Sequence, residues 1–264
     1  KTTLKEMIGL TLQKLSKTTY SPKSFNNKYG VPLSLFNLKQ NDNFGVFEVG
    51  MDKKGEIDNL TKIIKPDLGI ITNISYAHSK NFKNIKQIAD AKAEIMNNIK
   101  NNGTIILNRD DNFYNYHKSL ADNKKLKVIS FGIKDKSSSV KLTKVKKIKK
   151  NYELFFNVND KQVSYYSKNN NNSNLYNILA TLASIDLYID VRTLKKDIFF
   201  DLKIPKGRGD ISKIVLNDKE IFLVDETYNS NPLSLKTAIE NFDQIKSKNC
   251  KKYMVLGDML ELGK

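Results

Sequence analysis

The sequence is short of several things that would narrow its class. It has one cysteine, Cys250, so no disulfide can close within the chain, and the usage suits a reducing compartment. It has no tryptophan, five prolines and only two histidines, His78 and His117. No apolar run approaches the roughly 18 residues that span a bilayer, so no membrane insertion is expected. No leader pattern opens the chain, and Lys1 reads as an internal residue with no initiator methionine before it. Acidic residues are scarce beside basic ones, 28 Asp and Glu against 45 Lys and Arg, for a net charge of +17. The expectation is a cytoplasmic monomer of one large domain or two modest ones, since 264 residues with 39% apolar content, 13 Phe and 12 Tyr can build a sizeable core.

A charge of this sign and size has two readings. One is a basic module that binds nucleic acid. The other is a lysine-rich composition of the kind an AT-rich genome produces, because Lys, Asn and Ile are abundant together. The distribution favours the second. The basic residues run along the whole chain, densest in "KLTKVKKIKKNYELFF", with no interleaved aromatic platform for stacking bases. No nucleic-acid partner is expected, although a positive field still attracts an anionic substrate.

Apolar periodicity gives the architecture. Leu4, Met7, Ile8, Leu12 and Leu15 mark a helix over residues 2–16. "FGVFEVG" (44–50) reads as a buried strand, "GEIDNLTKIIK" as a helix stopped by Pro66, and "LGIITNI" (68–74) as a second strand. A helix over 84–99 follows, then strands at 103–108 and 127–132. Residues 140–166 alternate with period two around a "NVND" turn, which predicts an antiparallel meander or hairpin. Beyond an asparagine-rich loop (168–174), helices are expected from 175 to 187, over "RTLKKDIFFDL" and at 233–246, with strands at "SKIVL", "EIFLVD" and "KYMVLGD". Strands alternating with helices imply an α/β fold, a mostly parallel sheet covered by helices on both faces. The antiparallel part (138–167) is expected as a small β insertion within one domain spanning 1–264.

Several residues stand where chemistry is done. "KTT" before a helix matches the end of a phosphate-binding loop, G-x-x-x-x-G-K-[ST], in which the lysine reaches phosphates and the hydroxyl binds Mg²⁺. The glycines of such a loop would lie upstream of Lys1, and alone "KTT" is equally an arbitrary start. Glu48 ends an apolar strand, the place where ligand-facing groups of doubly wound folds lie, and reads either as a Mg²⁺ ligand or as a surface carboxylate. His78 follows another strand end and is either a ligand or structural. His117, in a polar helical context, reads as surface. Lys92 and Glu94 fall in a helix, where Lys92 by itself is an ordinary exposed lysine.

The order "KTT…NNKYGVP…FEVG…TNISYAH…AKAEI…LN-D…DETYNSNP…LGDMLELG" resembles the central ATPase domain of the Mur ligase family, the ATP-dependent amide-forming enzymes of peptidoglycan assembly. "SFNNKYGVPLSLFNL", "DETYNSNPLSLKTAIENF" and "VLGDMLELG" are most like the branch that joins D-alanyl-D-alanine to UDP-N-acetylmuramoyl-tripeptide. The resemblance implies a fold like that of P-loop ATPases and the cofactors ATP and two Mg²⁺. It implies that Lys1, Thr2 and Thr3 contact ATP, with Thr2 on one metal, that Glu48 and His78 hold Mg²⁺, and that Lys92 is carbamylated, which turns a cation into an oxygen ligand for a hard metal. Asn174 and Asn177 would contact adenine, Arg208 the phosphates, and Asp225 or Glu226 the ribose, with spacing to Pro232 favouring Glu226. Asn26 and Asn27 would face the nucleotide-sugar substrate.

The sequence departs from the family pattern at "NNSN", where an Arg and a His are usual, at Ala93, where Gly is usual, at "AHSKNF" and at Glu226. By the same resemblance a substrate carboxylate takes the γ-phosphate of ATP, and an amine then displaces phosphate from the acyl phosphate. Catalytic roles fall to Lys1, Lys92, His78 and Arg208. The family carries further domains on either side of this one, so the 264 residues alone are expected to be inactive as a ligase. The diaminopimelate- or lysine-adding ligases and folylpolyglutamate synthase share the metal residues, and "NNKYGVP" and "DETYNSNP" argue against them.

Overall fold

A computed structural model describes residues 1–76, 81–202, 205–228, 230–245 and 251–259. The chain divides into two compact units, one of Lys1–Ile74 with Ala89–Lys203 and one of Ser75–Ile88 with Ile204–Lys264.

The first unit begins with helix α1 (Thr2–Gln13), followed by β1 (Thr18–Tyr20), α2 (Gly30–Phe36), β2 (Phe44–Val46), α3 (Glu56–Ile64) and β3 (Leu68–Ile71). β1 and β2 pair in parallel as a two-stranded ribbon, Thr18 opposite Phe44 and Tyr20 opposite Val46. After α4 (Ile85–Ala93) come β4 (Thr104–Asn108), α5 (Tyr114–Asn123), β5 (Lys127–Gly132), β6 (Val140–Ile148), β7 (Asn151–Val158), β8 (Lys161–Ser167) and α6 (Asn172–Ile185). β3 to β8 form one six-stranded sheet in sequential order. The strands from β3 to β6 are parallel, and β6, β7 and β8 are antiparallel. The α/β expectation therefore holds, and the meander is hydrogen-bonded to the parallel strands through a short β5–β6 contact, Phe131 opposite Val140 and Gly132 opposite Lys141.

The residue types explain the change of style along the sheet. β4, "TIILN", is buried over its first four residues, as a strand covered on both faces requires. Ile106 joins the core beneath α1 and α6, with Ile129, Phe131, Leu4, Ile8, Leu12 and Leu179. Its neighbour Ile105 points the other way, toward Ile95 and Ile99 around Gly69. β7 instead alternates, burying Leu154, Phe156 and Val158 and leaving the residues between them less covered. Two-residue turns link β6 to β7 and β7 to β8. Lys149, Asn159 and Asp160 adopt positive φ there, which suits the twist of antiparallel strands.

In the second unit, β9 (Asp210–Leu216) and β10 (Lys219–Asp225) form an antiparallel hairpin. α7 (Pro232–Gln244) follows, started by a reciprocal cap between Asn231 and Ser234.

Four expectations need correction. "RTLKKDIFFDL" is not a helix: a single 3₁₀ turn (Val191–Thr193), capped by Asp190, gives way to turns that fold Phe199 against Tyr165, ring centroids 5.1 Å apart. "KYMVLGD" is not a strand, since no strand among the described residues pairs with it, and Lys252 Nζ instead donates to the last carbonyls of α7, Phe242 and Asp243. The helix over 84–99 is α4 alone, ending at Ala93 in a 3₁₀ turn (Glu94–Asn97). His117 is not a surface residue: it is 2% exposed, held by a contact of 3.1 Å between Nε2 and the Ala89 carbonyl and flanked by Phe113 and Tyr116.

Candidate active site

The site begins where α1 begins. Lys1 is the residue just before the helix, and Thr2, its first residue, is buried. Four amide groups at a helix start have no partner within the helix, which makes that end attractive to anions. Thr3 follows, partly buried. Packing fixes the direction of α1, because Leu4, Ile8 and Leu12 belong to the core shared with α6.

Glu48 lies two residues beyond β2 and is 5% exposed. Its amide donates to Ser21 Oγ at 3.0 Å, and Asn26 Nδ2 donates to its Oε1 at 2.7 Å. Its second oxygen, Oε2, is buried with no hydrogen-bond partner. Buried carboxylate oxygens rarely go unpaired, and a cation is one partner that satisfies such an oxygen. Asn26 also accepts from the Gly50 amide through its carbonyl, and Gly50 lies too close to Asn26 for any Cβ, 2.9 Å. Asn27 is used locally, its Oδ1 accepting from the amides of Tyr29 and Gly30 at the start of α2.

Lys1 and Lys92 come together at this place. Lys1 Nζ donates to the Val49 carbonyl, next to Glu48, at 3.3 Å. Lys92 Nζ donates to the Asn73 carbonyl at 2.7 Å. The Lys92 amine is pushed down to about 8, first by burial and then by the nearby Lys1 cation, with the Asp111 carboxylate opposing. Asp111 also holds the strand-end loop that carries Asn73. Its Oδ2 accepts from the Ile74 amide at 2.6 Å, and Oδ1 accepts from Phe113. Two residues past Lys92, the Glu94 carboxylate accepts from the amides of Gly55 and Asp58 and so caps α3. His78 lies outside the described residues, and among those described no three His, Cys, Asp or Glu side chains form a metal-binding group.

The asparagine-rich loop leads into α6. Asn171 caps the helix by accepting from the Asn174 amide at 2.8 Å. Asn174 Nδ2 is turned back onto the loop, donating to Ser167 Oγ and the Asn169 carbonyl. Asn177, partly buried, lies one turn further along. In the second unit, Arg208 stacks over the Tyr228 ring at 4.4 Å. Asp225 receives the hydroxyl and amide of Thr227, which hold it below the usual carboxylate range. Glu226 is raised by loss of hydration, against the pull of Arg208, and its carboxylate stands over Gly209. Asp225 is thus engaged in its own turn, while Glu226 is turned toward Arg208 and Gly209.

The sequence reading missed Lys5, Ser21 and Asp111, and it named Glu94 without a role. Asp111 stood next to a signal, since the "LN-D" stretch ends at Asp110. Lys5 had none, because a lysine in α1 looks exposed until the loop packed on it is known.

A mostly parallel sheet with a lysine and hydroxyl at a helix start, a carboxylate just past a strand and a partly buried lysine beside them is an α/β arrangement suited to holding the phosphates of a nucleotide. The chain belongs to the Mur ligase family: the Mur ligase middle domain matches residues 1–185. Over its whole length it is 31% identical to the UDP-N-acetylmuramoyl-tripeptide–D-alanyl-D-alanine ligase of Rickettsia prowazekii, covering 57% of that protein, and 34% identical to that of Buchnera aphidicola, covering 56%. The fold matches MurF from Acinetobacter baumannii with a TM-score of 0.87 at 28% identity, over 99% of this chain and 55% of that one. It matches the MurF ligase of Thermotoga maritima, solved with ADP, with a TM-score of 0.83 at 25% identity, over all of this chain and 58% of that one. The chain therefore spans little more than half the length of these relatives.

Proposed function

We propose that this chain is the nucleotide-handling part of an ATP-dependent ligase that adds D-alanyl-D-alanine to UDP-N-acetylmuramoyl-tripeptide. The observation that carries the reading is the meeting of Lys1, the Glu48–Val49 segment and Lys92, with one Glu48 oxygen buried and unpaired. The relatives' names give the substrates, and the Thermotoga structure with ADP supports use of a nucleotide. Cytoplasmic location and a monomeric state belong to this proposal. No helix among the described residues is long and apolar enough to cross a membrane.

The chemistry asks for positioning and charge neutralisation, because two anions, a peptide carboxylate and the γ-phosphate, must approach each other. Lys1 and Arg208 neutralise phosphate oxygens, and the first amides of α1 orient them. Thr2, Glu48, His78 and a carbamylated Lys92 would hold two Mg²⁺, which supply further charge neutralisation when bound. Glu48 fits that role through its unpaired oxygen. Lys92 fits carbamylation because burial and Lys1 favour its neutral, nucleophilic amine. Its nitrogen bonds to the carbon of CO₂, one N–H proton leaves to water, and an anionic carbamate remains. Asn174 and Asn177 serve the adenine, Glu226 the ribose, and Asn26 and Asn27 the nucleotide-sugar substrate. The acyl phosphate formed from the tripeptide carboxylate is then attacked by the amine of D-alanyl-D-alanine, and phosphate departs.

The test is phosphate release by the full-length protein, dependent on both substrates. Glu48→Ala and His78→Ala are each expected to lower the rate by at least about a hundredfold, the scale on which lost charge stabilisation is felt. Rates near wild type in both would sink the assignment.

A further inference from the structure

Lysines are almost never fully buried unless paired, and Lys5 is 4% exposed. Its Nζ donates to the carbonyls of Ser21 at 2.6 Å and Lys23 at 2.8 Å and to Glu6 Oε1 at 2.5 Å, so all three ammonium donors are used. It also lies 5.2 Å from the centre of the Tyr20 ring. One turn along α1, Gly9 lets Tyr20 pack so close that no Cβ would fit, 2.5 Å from the ring. The start of the 21–27 loop is thus clamped to α1.

The same loop is laced to the Glu48 segment at several points. Ser21 Oγ accepts from the Glu48 amide, the Ser21 amide donates to the Val46 carbonyl at 2.9 Å, Asn26 Nδ2 holds Glu48 Oε1, and the Asn26 carbonyl receives the Gly50 amide. Lys5 is one turn from Lys1, its amide donating to the Lys1 carbonyl. A continuous set of bonds therefore runs from the start of α1 through Lys5 and the 21–27 loop to the Glu48 carboxylate.

We infer that Lys5 is a positioning residue: it fixes the Glu48 carboxylate relative to the start of α1 and so sets the affinity of that carboxylate for a divalent cation. The inference rests on reading Glu48 as a metal ligand. Lys5 itself touches neither metal nor substrate. Removing its ammonium leaves the buried Ser21 carbonyl and the partly buried Lys23 carbonyl without it, and the loop that relaxes to rehydrate them carries Ser21 and Asn26 with it. Partners behind metal ligands typically matter by 10–100-fold in metal affinity.

The test uses Mn²⁺ as probe, read by electron paramagnetic resonance in the full chain, with amide hydrogen exchange alongside. Lys5→Met is expected to weaken Mn²⁺ binding by about tenfold. It is expected to speed exchange over residues 44–51 and leave β4, β5 and α6 protected. Lys5→Arg, whose fork reaches two carbonyls, restores part of the affinity. Ser21→Ala weakens binding in the same direction by a smaller factor. Unchanged Mn²⁺ affinity in Lys5→Met overturns the inference, and so does faster exchange spread through the core strands, which marks a purely structural lysine. If Lys5→Met does not fold, Ser21→Ala decides: wild-type affinity there breaks the relay. Glu48→Gln separates the two levels. If it binds Mn²⁺ as wild type does, the metal reading of Glu48 fails; if it alone loses binding, only the role of Lys5 fails.

Discussion

Asn26 donates to one oxygen of Glu48 at 2.7 Å, and the other oxygen of that buried carboxylate has no partner. An unsatisfied buried polar atom costs about 1–3 kcal/mol, more if charged. Glu48→Gln is therefore expected to raise the metal-free melting temperature, by about 2–4 °C for each kcal/mol recovered. Wild type should gain stability on adding Mg²⁺, and the variant should not. Thermal melts with and without Mg²⁺ check this, and a variant that melts lower than wild type without metal contradicts it.

Lys92 titrates at about 8, so its folded-state amine is neutral in roughly one molecule in ten at pH 7, against a few in ten thousand for an ordinary lysine. Carbon-13 bicarbonate should give a carbamate resonance in wild type that Lys92→Ala lacks, growing as pH rises through 8. Lys1→Met removes a cation that depresses the Lys92 amine, so it should move this midpoint upward. The stability sign also follows. The folded state is penalised while Lys92 is charged, and that penalty fades as pH climbs from about 8 toward the ordinary lysine value, where the unfolded chain loses the proton too.

Glu94 holds the amides of Gly55 and Asp58 with its two oxygens, at 2.7 and 3.2 Å. Glutamine offers one acceptor and turns an N–H₂ toward the second amide. Glu94→Gln should cost about 1–2 kcal/mol, the worth of a helix cap. Urea unfolding should show a lower midpoint with an unchanged slope.

Burial lowers the pKa of His117, with the contact to Ala89 opposing. The unfolded chain therefore binds the proton first as pH falls. The contribution of His117 to stability is complete above about pH 6.5 and drains away below it as the folded state is left with a neutral imidazole. Melts between pH 7.5 and 5 should show this slope in wild type and a flatter one in His117→Gln.

The long periodic elements were readable because each buries one continuous apolar face: α1, β4, β5 and α6 fall close to where the spacing places them. β1 and α2 escaped because three and seven residues are too few for a period to declare itself. "RTLKKDIFFDL" misled through its apolar content, which is spent on contacts such as Phe199 with Tyr165 rather than on a helical stripe. In the proposed site, Glu48 and Lys92 were singled out by their order along the chain. Their supports were not, because Lys5, Ser21 and Asp111 act through backbone atoms 16 or more residues away, and pairings of that kind leave no pattern in sequence.

The narrow β5–β6 junction has a consequence for how the chain reaches this state. β6, β7 and β8 are neighbours in sequence closed by two-residue turns, so their pairing costs little loop entropy. β3, β4 and β5 must each wait for a helical crossover before they meet. Low contact order favours the meander forming first, with Val140 as the edge on which Phe131 later docks. Slowing the meander, by replacing Asn159 or Asp160 at their positive φ with valine, should slow folding of the entire first unit, although neither residue comes near Lys1, Glu48 or Lys92 in the chain.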